Sequence, residues 1–266
     1  MKYLVIAGYI PDSLVDVIGC ITFTVWFSYC NFQCPWCQNS HVIKGVNARR
    51  VSIEEIVNDV LRVREFIDYL HVTGGEPTLQ EEALYSLFKL SKSKFIKNSL
   101  DTNASNPEIV SKLIEDGLID HIALDVKAPL DDEVKYAEVI GLSCDKVKRL
   151  NVLDRIRTTL KLALEHIPSV EIRIPVVPTL HNRSTVLRTA KQISKFIKEH
   201  ASESTEVKVV LQQFVPSETV LSSIFRNIKR TDLDLLRSLA LSIVSTTHLD
   251  RVYIRSIEEG VSTIVR

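Results

Sequence analysis

Cys30, Cys34 and Cys37 stand in the run Ser28-Tyr-Cys-Asn-Phe-Gln-Cys-Pro-Trp-Cys-Gln-Asn39. The spacing CxxxCxxC gathers three thiolates with no fourth nearby. Cysteine-only [4Fe–4S] centres take four thiolates. Three would leave one iron with an open position, able to bind and activate a small molecule much as an open zinc site does. Structural zinc more often pairs a second knuckle or a histidine with the first, and neither Cys20 nor Cys144 has such a partner in sequence. Structural zinc and unliganded core thiols are the competing readings.

Further chemistry-bearing residues recur downstream. Thr73-Gly-Gly-Glu-Pro77 places two residues without side chains, Gly74 and Gly75, beside Glu76. Backbone groups there can approach a ligand closely and offer acceptors to an amino group; the bland alternative is a tight turn closed by proline. Asp101-Thr102-Asn103 and Asp125-Val126-Lys127 follow. Alternation along a strand puts Asp125 and Lys127 on one face. Lys127 could then pair a ligand carboxylate while Asp101 and Asp125 bind a ribose hydroxyl or a small cation, or the pair could be a satisfied internal ion pair. Trp36 could stack on a nucleobase or shield a cluster from solvent. Arg173 suits bidentate contact to a carboxylate of a cofactor or of the protein itself. His41, His71 and His181 are weaker candidates, since a lone histidine is more often structural than ligating.

These residues need elements to position them. Strands are expected at 20–28, 69–73, 98–102, 121–126, 170–176 and 208–214, most of them nearly continuous apolar runs, as strands covered on both faces read. Amphipathic helices are expected at 53–66, 81–90, 107–116, 147–165 and 186–198. Ser52 and Ser105 are candidate N-caps, and Pro107 suits a first helical turn. Residues 1–7 read as a first strand, 231–244 as a further helix and 251–254 as a last short strand. The alternation gives an α/β fold with a parallel sheet, either open and doubly wound or curled into a barrel. In both architectures functional residues collect at the carboxyl ends of strands, where the polar motifs above fall repeatedly.

The chain has 266 residues, with Lys plus Arg and Asp plus Glu at 33 each. Balanced charge excludes a global positive field that would argue for nucleic acid. One domain is the simplest count, with a core at about 13–216 and a helix-and-strand extension at 217–266. No apolar run is long enough to span a membrane, and five cysteines with three clustered suit a reducing compartment, so a cytoplasmic location is expected.

The motif order resembles the radical S-adenosylmethionine (SAM) superfamily. Its glycyl-radical-enzyme activating branch, and most closely the anaerobic ribonucleoside-triphosphate reductase activating proteins, is matched by Ser13-Leu-Val-Asp16 with Gly19, Cys37-Gln-Asn39, Leu100-Asp-Thr-Asn103, Ala123-Leu-Asp-Val-Lys-Ala-Pro129, and Leu211-Gln-Gln-Phe214 with Pro216. The resemblance implies a partial (β/α)6 TIM-like barrel. It implies a [4Fe–4S] cluster on Cys30, Cys34 and Cys37, and SAM bound by Gly74, Gly75, Glu76 and Trp36. It also implies a polar site of Asp101, Thr102 and Asp125 that holds a monovalent cation in relatives, with Lys127 and Arg173 nearby. The activity implied is reductive cleavage of SAM and hydrogen abstraction from a glycine of a partner glycyl radical enzyme, with an electron donor such as flavodoxin or ferredoxin. The alternatives are a small-molecule radical SAM enzyme like 7-carboxy-7-deazaguanine synthase, and a non-enzymatic iron–sulfur or zinc protein. Two departures from the pattern stand out: Ala104 where relatives often carry Gly, and Cys20 where they commonly carry a basic residue.

Overall fold

The structure is a computed structural model and describes residues 3–266. It comprises two compact units, each drawn from several stretches of sequence. The first holds the described residues to Asn31, Asn39–Thr102 and Glu108–Ala123; the second holds Phe32–Gln38, Asn103–Pro107 and Leu124–Arg266. Cys30 thus belongs to the first unit, and Cys34 and Cys37 to the second.

In the first unit the order is β1 (Tyr3–Ser13), β2 (Thr22–Phe27), α1 (Ser40–Ile43), β3 (Arg49–Ser52), α2 (Ile53–Val63), β4 (Tyr69–Gly74), α3 (Glu81–Lys92), β5 (Asn98–Thr102) and α4 (Pro107–Glu115), with β6 (His121–Asp125) beginning there. β2, β4 and β5 run parallel, Thr22 opposite Tyr69 and Leu70 opposite Asn98. β1 lies antiparallel to both β2 and β3. Phe23, Val25, Leu70, Val72 and Leu100 are buried, and so are Thr22, Thr24, His71 and Ser99 on the intervening positions. Burial at alternate and intervening residues alike is what a parallel strand covered on both faces requires. The stripe Ile53, Ile56, Val57 and Val60 buries one face of α2, whose N-terminus is capped by Ser52 accepting from the Glu55 N–H at 3.1 Å.

The second unit contains α5 (Glu133–Ile140), α6 (Cys144–Arg149), α7 (Val152–His166), β7 (Ser169–Val176), α8 (Arg183–His200), β8 (Glu206–Gln213), α9 (Ser223–Arg226), α10 (Leu233–Thr246), β9 (Arg251–Ser256) and β10 (Gly260–Val265). β7, β8 and β9 are parallel in continuous register, and β10 closes the series antiparallel to β9.

Every strand expected from the apolar runs is present, within two residues at each end. The expected first strand extends to Ser13; its first two residues lie outside the described ones. The helix expected over 147–165 is instead two helices, because Asn151 adopts the left-handed conformation (φ 49°) and breaks the turn between α6 and α7. Polar or short segments hid β3, α5 and β10 from the apolar-run criterion. α4 starts at Pro107, so Asn106, not Ser105, immediately precedes it. Among the described residues no helix is long and apolar enough to cross a membrane.

Candidate active site

In the first unit the end of β2, the Cys30 approach and the Gly74-Gly75 turn are pressed together. Gly75 donates its N–H to the Phe27 carbonyl at 2.9 Å, and the Glu76 N–H reaches the Tyr29 carbonyl at 2.8 Å. A Cβ on Gly75 would lie 1.9 Å from the Tyr29 oxygen, and one on Gly74 2.3 Å from the Phe27 oxygen. Gly74 also has φ 117°, a conformation that L side chains avoid. The glycines are therefore required by contact with the backbone that leads into Cys30.

Glu76 is fully buried, and one of its carboxylate oxygens accepts three hydrogen bonds: from the Thr78 N–H at 3.1 Å, the Thr78 hydroxyl at 2.5 Å and the Thr102 hydroxyl at 2.7 Å. Three donors on one oxygen fix the carboxylate's orientation. Asp101, at the end of β5, accepts from the Thr73 hydroxyl at 3.1 Å, and His71 Nε2 stands 3.6 Å from the same carboxylate oxygen. His71 Nδ1 in turn meets Ser99 Oγ at 2.7 Å, which meets His121 Nδ1 at 2.8 Å. Gln80 joins β1 to the end of β2, exchanging hydrogen bonds with Val5 and reaching the Ser28 carbonyl at 3.3 Å.

In the second unit the segment carrying Cys34, Trp36 and Cys37 is tied down from two sides. The Gln33 N–H donates to the Ile140 carbonyl at 2.9 Å, and the Trp36 indole N–H to the Val139 carbonyl at 2.9 Å. Gly141, left-handed at φ 67°, ends α5 there, and a Cβ on it would strike the Gln33 carbonyl at 2.0 Å. From the other side, Leu221 N–H donates to the Cys37 carbonyl and Ser222 N–H to the Pro35 carbonyl, each at 2.9 Å. Residues 217–266 had no role assigned from sequence; their first turn holds the cysteine segment. No sequence signal marked these contacts, because they are backbone groups.

Lys127 Nζ lies 2.6 Å from Asp125 Oδ2 and 5.2 Å from the centre of the Trp36 ring. Burial works against its ammonium, but the Asp125 carboxylate and the Cys34 thiolate outweigh that and raise its pKa, so it is a fixed cation. Arg173 has a different setting. Its Nε sits 2.5 Å from Glu171 Oε1, the oxygen that Arg255 Nη2 also reaches at 3.0 Å, so its sequence-expected place near a cofactor coincides with an internal ion triad. Ala104 is buried with φ 64°, the region glycine adopts freely, so the departure from relatives' glycine is retained at the cost of local strain. His41 is exposed in α1, whereas His181 is buried and hydrogen-bonded at both ring nitrogens.

None of the five cysteines is in a disulfide, and among the described residues no group of three or more His, Cys, Asp or Glu side chains could hold a single metal ion. The case for a metal centre rests on the donor set, three thiols at CxxxCxxC spacing; in the first unit the Gly74-Gly75 turn packs on the backbone leading into Cys30, and in the second a fixed cation stands near Cys34. That set fits a three-thiolate [4Fe–4S] cluster.

Residues 24–193 match the model of the radical SAM superfamily. A protein of Methanocaldococcus jannaschii, provisionally called a glycyl-radical enzyme activating enzyme, is 29% identical over 261 residues, covering 97% of this chain and 98% of that one. The pyruvate formate-lyase-activating enzyme of Clostridium pasteurianum is 29% identical over 191 residues, 70% of this chain and 74% of its own. Among solved structures, TYW1 with a lysine-pyruvate adduct bound superposes with a TM-score of 0.60 at 14% identity, covering 92% of this chain and 79% of that one. This likeness shows the fold, an α/β chain of the partial TIM-like barrel class. By sequence family, by fold and by relatives in the glycyl-radical activating branch, the chain belongs to the radical SAM superfamily and is a radical SAM enzyme, with a [4Fe–4S] cluster and SAM as its cofactors.

Proposed function

We propose that this enzyme activates a glycyl radical enzyme by removing a hydrogen atom from one of its glycines. The carrying observation is the 261-residue match, over 98% of its length, to a relative named for that activity. When bound, the cluster and SAM supply one-electron cleavage of the cofactor to methionine and a 5′-deoxyadenosyl radical, which takes the glycine Cα hydrogen to give 5′-deoxyadenosine and a glycyl radical.

The chain's own residues bind and orient. Cys30, Cys34 and Cys37 would hold the cluster through three thiolates, leaving it an open position for the cofactor. Gly74, Gly75 and Glu76 serve the amino group. Lys127, a fixed cation, serves the carboxylate, with Trp36 beside it; Asp101, Thr102 and Asp125 form the polar part of the site and could hold a monovalent cation. Arg173 has its charge engaged by Glu171. Glycine suits the reaction because its Cα–H is unshielded, and the segment bearing it must reach the strand ends in extended form. A flavodoxin- or ferredoxin-like donor supplies the electron, and the chain works as a single domain.

Anaerobic reconstitution followed by mixing with the partner and a reductant tests this. Iron and sulfide at about four each per chain and a glycyl doublet in electron paramagnetic resonance are expected. SAM cleavage with no doublet across candidate partners would point to a small-molecule substrate instead. Cys34→Ala should abolish cleavage.

A further inference from the structure

The main chain of Lys127 is held by side chains on both of its peptide groups. Its N–H lies 3.3 Å from the Tyr136 hydroxyl oxygen, which accepts it. Its carbonyl lies 2.7 Å from His181 Nε2. A carbonyl only accepts, so Nε2 carries a proton. The other ring nitrogen, Nδ1, receives the Val177 N–H at 3.0 Å, and a backbone N–H only donates, so Nδ1 is bare. Two backbone groups thereby fix one tautomer and one ring orientation of His181, as a neutral imidazole. Burial disfavours a second proton and brings the pKa down to about 4, consistent with that assignment.

His181 links two loops: the one after β6, which carries Lys127, and the one after β7, which carries Val177. The same loop residue places the ammonium 2.6 Å from Asp125 and over the Trp36 ring. Tyr136 is on α5, whose end holds Gln33 and Trp36, so one helix orients both the cation and the ring beneath it. A displacement of about 1 Å in such a group is enough to cost most of its contribution to binding.

We propose that His181 is a positioning residue for Lys127: by fixing the Lys127 carbonyl to the β7 loop, it sets where the ammonium stands to receive an anionic group of the bound cofactor. This rests on the reading of Lys127 as the carboxylate contact. His181 touches no reacting atom and acts only through Lys127.

The test is a double-mutant cycle on SAM binding, read from the change SAM causes in the paramagnetic resonance spectrum of the reduced cluster in reconstituted enzyme. Lys127→Met should weaken binding about tenfold to a hundredfold, as for loss of a charged hydrogen bond. His181→Phe should weaken it about tenfold, with iron content unchanged. In the Lys127→Met background His181→Phe should then change nothing. His181→Gln, whose amide can donate to the carbonyl and accept from the Val177 N–H, should restore most of the affinity. If His181→Phe does not fold, His181→Asn, whose Oδ1 can still accept from Val177 but whose shorter side chain does not carry its amide N–H as far as the Lys127 carbonyl, replaces it in the cycle. Equal losses in both backgrounds, or wild-type affinity in the histidine variant, overturn the positioning role while leaving Lys127 as the contact. Wild-type affinity in Lys127→Met overturns the contact itself, and the positioning role with it.

Discussion

Two acid–base pairs in the second unit have the same sequence pattern and different physical settings. Asp125 with Lys127, at the end of β6, and Glu171 with Arg173, inside β7, are each an acid followed two residues later by a base, with nitrogen to oxygen separations of 2.6 and 2.5 Å. In the first pair the cation is buried and the carboxylate is 37% exposed. Water or a ligand can compete for that carboxylate, and the ammonium keeps capacity for another anion. In the second the carboxylate is 1% exposed and serves two guanidiniums, those of Arg173 and Arg255. Removing it would take one buried acceptor from both. The number of opposite charges around the buried partner separates a pair with charge to spare from a saturated one, and the spacing i, i+2 alone does not.

The largest effect that could break this comparison is on stability. Glu171→Leu should cost about 3–5 kcal/mol, the range for breaking a buried ion pair by removing one member, read as a fall in the urea midpoint at constant slope. Asp125→Asn should cost less, about 1–3 kcal/mol: the buried Lys127 ammonium loses its carboxylate, but the amide oxygen on the partly exposed side of the pair still accepts from it. Comparable losses in the two variants would erase the distinction.

Next in size is the pH dependence contributed by the residue that grips Lys127. The neutral form of His181 is the folded form, and its pKa falls from 6.5 to about 4, chiefly by burial, with Lys135 pushing the same way and the Lys127 carbonyl and Glu138 opposing. A depressed folded pKa means that the unfolded chain binds the proton first. Stability from this group is therefore fully present above pH 6.5 and lost as pH falls towards 4, by about 3 kcal/mol in all. Unfolding free energies measured across that window should flatten by roughly this amount in His181→Gln; an unchanged slope would mean that the imidazole is not held neutral.

The sequence made the architecture legible because parallel strands covered on both faces read as apolar runs, and each such run became a strand. It also located the cysteine motif, the glycine turn and the polar strand ends, because those depend on residue type and spacing. Contacts made by backbone groups were invisible. The Leu221 and Ser222 amides, the Val139 and Ile140 carbonyls and the Lys127 carbonyl have no residue-type signature, so neither the role of the segment after Pro216 nor that of His181 could be read. Partners separated by long stretches were equally hidden: Glu171 and Arg173 are neighbours in sequence, but Arg255 comes from β9, and only its presence turns a pair into a triad. Asn151 shows the remaining kind of miss, in which a single left-handed residue splits a continuous helical pattern.

The smallest effect sharpens what is particular to the Lys127 side of the comparison. Trp36 has two attachments: its indole N–H donates to Val139, and its ring face lies under the Lys127 ammonium. Trp36→Phe removes the first and keeps an aromatic face, so it should cost about 1 kcal/mol of stability, the net worth of one hydrogen bond, and leave SAM affinity within about twofold. Trp36→Leu removes both and should weaken affinity by a further factor of about two to five, as expected for a cation–π contact of about 0.5–1 kcal/mol. If phenylalanine weakens SAM binding as much as leucine does, the hydrogen bond to α5 rather than the ring positions this side of the site, and the ammonium depends on the helix instead of the aromatic face beneath it.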